Sequence, residues 1–135
     1  RFDHVRLNLA NGDMVGHTGS LEATRLAVAA VDLELARLET AVTDARGILL
    51  VTADHGNADE MWIREKGRVA LLEDGTPKPR TAHSLNPVPF ILLDPSRRLD
   101  VRRDLSNPGL ASVGATLLEL CGLEPPAHYA PSLVR

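Results

Sequence analysis

The chain has 135 residues, 44% hydrophobic and 24% charged, with a formal net charge of -3 and a pI near 5.9. That length and balance exclude intrinsic disorder and fit one domain, whose folding can bury roughly two-thirds of the extended-chain surface. With 3% aromatic residues and short apolar runs, the chain is expected to bind no nucleic acid and to cross no membrane.

The N-terminal RFDHVRLNLA lacks the basic-then-apolar order of a signal peptide. Within it, Val5, Leu7 and Leu9 alternate with Arg6 and Asn8, a strand pattern that runs into the turn signal Asn11-Gly12. Ser20 reads as an N-cap, with Glu22 in the first turn of a helix that continues to about Ala45. Val28, Val31, Leu35, Leu38 and Val42 form its apolar stripe, Glu22, Arg37 and Asp44 fall on the far side, and Gly47 ends it.

The run Ile48 to Val51 predicts a strand buried on both faces, stopping at DHGNAD. Residues from about Met61 to Ala82 read as a loop with a short hairpin. A third strand spans Val88 to Leu93, where Pro89 favours a strand end or an edge. Arg97, Arg98, Arg102 and Arg103, interleaved with Asp100 and Asp104, read as solvated surface. The last helix runs from about Leu110 to Leu120 and stops at Gly122. The single cysteine, Cys121, excludes a disulfide framework and is expected to be buried by packing. A reducing, cytoplasmic setting follows.

Alternating strands and helices predict an α/β fold, a layered and mainly parallel sheet with flanking helices. Three strands make a thin sheet, and the chain starts in mid-strand, so it is expected to be part of something larger, with an exposed sheet edge open to self-association. Polar residues gather where such sheets place ligands, beyond strand C-termini. Asp13 and His17 follow the first strand, Asp54 and His55 the second, and His83 precedes the third. A carboxylate four residues before an imidazole can serve one cation, although a lone pair of this kind is commonly a cap or an ion pair. Mixed carboxylate and imidazole ligands suit Mn²⁺ or Zn²⁺ better than Ca²⁺. His4 and His128 read as surface or packing residues, and Thr18, Ser20, Thr52 and Ser84 as caps and turn formers. No Gly-x-Ser-x-Gly elbow, Walker loop or Gly-x-Gly-x-x-Gly is present.

The strings NLANGDMVGHTGS, VTADHGNADEM and TAHSLNPVPFILL, in this order, resemble the C-terminal part of the cofactor-independent (2,3-bisphosphoglycerate-independent) phosphoglycerate mutases, members of the alkaline phosphatase superfamily. GLASVGATLLELCGLEPP is similar to that family's last helix, so the resemblance covers residues 1–135 as one C-terminal, metal-binding part. It implies that Asp13, His17 and His83 are ligands of a first manganese, and Asp54 and His55 two ligands of a second. Other divalent ions are alternatives, and 2,3-bisphosphoglycerate is not expected as a cofactor.

The activity implied is two-metal phosphoryl transfer that interconverts 2- and 3-phosphoglycerate through a phosphoserine. A cation pair roughly 4 Å apart suits that chemistry. The family's nucleophilic serine, its inserted transferase domain and its substrate-gripping basic residues have no counterpart in these strings. The chain is therefore expected to contain no catalytic residue and to be inactive alone. Alternative readings are another enzyme of the superfamily, a phosphopentomutase or a phosphatase, or a non-catalytic metal-binding or interaction module.

Overall fold

The computed structural model describes residues 2–135, and the first expected strand is not formed in it. No described strand pairs with residues 4–9, and Val5 and Leu7 are 75% and 59% exposed. Alternation supplies a face, but backbone N–H and C=O groups need a neighbouring strand to make a ladder. Asn11-Gly12 opens a short helix, α1 (Asn11–Gly16), whose first bond runs from Met14 N–H to the Ala10 carbonyl at 2.9 Å.

Helix α2 (Leu21–Asp44) begins as its sequence predicts, with Ser20 Oγ accepting the Ala23 N–H at 3.3 Å. Its covered stripe holds Thr24 and Ala27, then Val31, Leu35, Leu38 and Val42, while Val28 is turned out and half-exposed. The helix does not stop on Gly47 as expected. Arg46 takes the left-handed position at φ 55°, and the Arg46 and Gly47 N–H groups bond back to Thr43 and Val42.

Strand β1 (Leu49–Thr52) leads into the DHGNAD loop. A hairpin of β2 (Arg64–Glu65) and β3 (Arg68–Val69) follows, turning on Lys66 and Gly67, both at positive φ. Strand β4 (Phe90–Leu93) starts right after Pro89, where a missing N–H costs no ladder bond. It pairs antiparallel with β1, Leu49 opposite Leu93 and Val51 opposite Ile91. Parallel pairing is not found among the described residues, and β1 is half-buried rather than buried on both faces because it has a single partner. The described residues form three helices and two small antiparallel sheets, so the mixture of helices and strands is as expected and the layered parallel sheet is not formed among them.

Helix α3 (Ala111–Leu120) ends at Gly122, φ 74°, and buries Ser112, Ala115 and Thr116. Thr116 Oγ1 donates to the Ser112 carbonyl at 2.8 Å and accepts the Leu133 N–H at 2.9 Å. Leu133 and Val134 are buried there, with Val134 bridged to Val101. Cys121, expected in the core, is exposed, because as the C-cap it lies past the helix face that packs. Arg97, Arg98, Arg103, His4 and His128 are exposed as expected. No helix among the described residues is long and apolar enough to cross a membrane.

Candidate metal centre

Asp13 lies on α1 and His17 caps its C-terminus, so their four-residue spacing sets both side chains on one face. His83 arrives from the loop before β4. Asp13 Oδ1 lies 3.3 Å from His17 Nε2 and 3.2 Å from His83 Nε2, and the two Nε2 atoms are 3.2 Å apart. One ligand atom from each residue lies within 4.8 Å of the other two. His17 Nδ1 bonds the Thr81 carbonyl. A carbonyl only accepts, so Nδ1 is the donor, and in that tautomer it is Nε2 that offers its lone pair toward the other two groups. Two imidazole nitrogens and a carboxylate oxygen make a donor set that fits a divalent transition-metal ion.

Asn57 holds the carboxylate in place, its Nδ2 donating to Asp13 Oδ1 at 2.8 Å and to the Asp13 carbonyl at 3.3 Å. That side-chain bond is the main reason the Asp13 carboxyl titrates below its ordinary value; partial burial opposes it, and the nearby His17, His83 and His55 reinforce it. Gly16 is required at this contact, because a Cβ there would overlap Asn57 Oδ1.

Asp54 and His55 lie outside this three-residue cluster. The His55 ring stacks on His83, centroids 3.7 Å apart and planes 19° from parallel. Its Nδ1 is buried without a hydrogen-bond partner, and its Nε2 is 3.6 Å from Asp54 Oδ1. Asp54 itself is 90% exposed. A cleft of about 420 Å³ adjoins them, with Asn86, Phe90 and Val113 on its walls.

The two histidine-bearing loops are also joined through residues that follow each histidine. Ser84 N–H donates to the Gly56 carbonyl at 2.8 Å, and a Cβ at Gly56 would overlap Ser84 Oγ. Asp59 accepts the Ser84 hydroxyl at 2.9 Å and Asn86 Nδ2 at 2.6 Å. Burial is the largest single influence on its carboxyl and pushes the pKa up, yet the hydrogen bonds from Asn86, Ser84 and the backbone together hold it below the ordinary value. Arg80 Nη2 donates to the His83 carbonyl at 3.0 Å.

Sequence reasoning did not single out Gly16, Asn57, Asp59 or Asn86, although all sit inside the quoted strings, within a few residues of a candidate ligand. Ser84, read as a turn former, is instead a buried link between loops. Thr18 and Ser20 make the local turn and cap bonds expected of them.

The profile of the Metalloenzyme superfamily matches residues 1–125. A Leptospira interrogans protein named probable 2,3-bisphosphoglycerate-independent phosphoglycerate mutase is 49% identical over 134 residues, which is 98% of this chain and 24% of the relative. The Trypanosoma brucei brucei 2,3-bisphosphoglycerate-independent phosphoglycerate mutase is 47% identical over 139 residues, 99% of this chain and 25% of the relative. The fold is similar to crystal structures of Leishmania mexicana phosphoglycerate mutase at low cobalt concentration, with a TM-score of 0.90 and 48% identity over 97% of this chain and 24% of that one. The chain thus spans about a quarter of the length of the proteins it matches.

Proposed function

The chain belongs to the metalloenzyme superfamily, and on that footing we propose that residues 1–135 are the C-terminal metal-binding part of a cofactor-independent phosphoglycerate mutase with an alkaline-phosphatase-like core. Asp13, His17 and His83 hold one divalent cation, and Asp54 and His55 supply two ligands of a second. Mn²⁺ is our choice for both. The observation that carries this reading is the convergence of Asp13, His17 and His83, from two separate parts of the chain, within 4.8 Å.

The longer protein then interconverts 2- and 3-phosphoglycerate through a phosphoserine, in glycolysis and in the cytoplasm, without 2,3-bisphosphoglycerate. When bound, the two cations neutralise charge on the phosphoryl oxygens and favour the serine alkoxide. This chain's residues orient ligands. The Thr81 carbonyl fixes the His17 tautomer, and Asn57 turns Asp13 Oδ1 inward. The nucleophilic serine and the groups that grip phosphoglycerate come from the remainder of the longer protein, so the chain by itself is inactive. There the open edge of β1 takes a further, parallel strand and completes a layered sheet; in the isolated chain that edge favours self-association.

Calorimetric titration of the chelator-stripped chain with Mn²⁺ tests the assignment. One ion per chain, lost in His83→Ala, is expected. Failure to bind in both this chain and the longer protein overturns the ligand set, and turnover by this chain that survives Asp13→Ala overturns the whole account.

A further inference from the structure

Asp59 is an acidic residue whose carboxylate accepts three hydrogen-bond contacts and has no place among the candidate ligands. Its Oδ1 and Oδ2 receive the Ser84 hydroxyl at 3.1 and 2.9 Å, and Oδ2 also receives Asn86 Nδ2 at 2.6 Å. These partners lie 25 and 27 residues further along the chain. Ser84 is 3% exposed, so its hydroxyl has no ready solvent substitute for Asp59. Ser84 follows His83 directly, and Asp59 belongs to the same loop as His55. The backbone adds one bond to the same junction, Ser84 N–H to the Gly56 carbonyl. The residues just before Gly56 and Ser84 are His55 and His83, whose rings stack with centroids 3.7 Å apart.

A single main-chain bond is a hinge, whereas a bond with a carboxylate gripping the neighbouring side chains is a clamp. Charge-assisted bonds are also about twice as strong as neutral ones. We infer that Asp59 is a positioning residue that fixes the His83 loop against the His55 loop, and so sets where His83 Nε2 stands relative to Asp13 and His17. The inference rests on the proposed metal-ligand role only for its effect on affinity. The clamp itself is a property of the chain without metal.

In this role Asp59 ligates nothing, and its loss acts through His83. Asp59→Ala is expected to lower Mn²⁺ affinity about 10- to 100-fold, the range typical of lost outer-shell partners, with Asp59→Asn in between because its Oδ1 still accepts one of the two donors. Thr116→Val, whose hydrogen bonds run to Ser112 and Leu133 and to neither histidine loop, serves as the control for general destabilisation and is expected to leave affinity unchanged.

The second readout is the nuclear Overhauser contact between the His55 and His83 rings in metal-free protein, present in the wild type and lost in Asp59→Ala. Wild-type affinity in Asp59→Ala, or an equal loss in Thr116→Val, overturns the inference while the metal reading stands. If the wild-type chain takes up no Mn²⁺, the ring contact decides: its persistence in Asp59→Ala overturns the clamp, and its loss upholds the clamp while the metal reading falls. Should Asp59→Ala fail to fold, Asp59→Asn carries both readouts.

Discussion

His17 Nε2 and His83 Nε2 stand 3.2 Å apart although 66 residues separate them in sequence. The same TAH segment produces both halves of that relationship. The Thr81 carbonyl accepts the hydrogen bond from His17 Nδ1–H, and two residues later His83 is delivered opposite the other ring nitrogen, Nε2. The loop that brings the second imidazole therefore also sets the tautomer of the first, and Asn57 does the corresponding work for Asp13.

Adding one methyl at Gly16 should disturb this arrangement from behind. The Cβ in Gly16→Ala overlaps Asn57 Oδ1 and pushes the amide off Asp13. Overpacking of a buried contact costs about 1–3 kcal/mol. Chemical denaturation is expected to show that loss, together with a shift of the Asn57 side-chain amide resonances. Unchanged amide resonances would mean that Asn57 is not pressed against α1.

A stabilising change is expected at the other end of the long helix. Arg46 sits at φ 55°, where an L side chain crowds the following carbonyl. Arg46→Gly removes that strain but loosens the unfolded chain, for a net gain of about 0.5–1 kcal/mol. Thermal unfolding reads the sign directly, and a lower Tm would contradict the left-handed assignment.

Thr116→Val keeps the shape of a fully buried side chain but orphans the Leu133 N–H. The cost is about 1–3 kcal/mol. Amide exchange at Leu133 is expected to accelerate more than exchange in α2, and equal acceleration everywhere would deny the local link.

Asp94 governs the turn after β4. The Ser96 hydroxyl contributes most to holding its carboxyl below the ordinary 3.8; slight burial opposes this, and the N–H groups of Arg98, Ser96 and Leu99 add to it. A folded-state value below the unfolded one means that the stabilisation is complete above 3.8 and is lost as pH falls through the folded value. Carbon-13 titration of Asp94 is expected to give a midpoint under 3.8, and Asp94→Asn to remove this part of the acid sensitivity. A midpoint at or above 3.8 would mean that those N–H groups do not hold the carboxylate.

How much of this was legible in the sequence varied with the range of the interaction. Helix α2 was readable because its cap and its period are local, with Ser20 bonding only three residues ahead. The residue types of the metal cluster were readable as chemistry, and their motifs as a resemblance. The segment around Val5 and Leu7 misled, since alternation describes a strand's faces and not its partner. Runs such as LLVT and FILL carry no mark of direction, so their antiparallel register could not be read from them. Asn57 and Asp59 were passed over for a similar reason: their partners lie 44 and 25 residues away, and nothing in the local pattern names them.

The hairpin between the two histidine loops carries none of the candidate ligands. Behind β2 and β3 it is closed by Ala70 N–H to the Ile63 carbonyl, the flanking segments are joined by Arg80 N–H to the Met61 carbonyl and Ile63 N–H to the Lys78 carbonyl, and its Lys66–Gly67 tip is exposed. That arrangement makes the tip a permissive address for cargo: a fluorophore or a short inserted tag should ride there as a reporter, with the base acting as a firebreak that keeps the disturbance from His55 and His83.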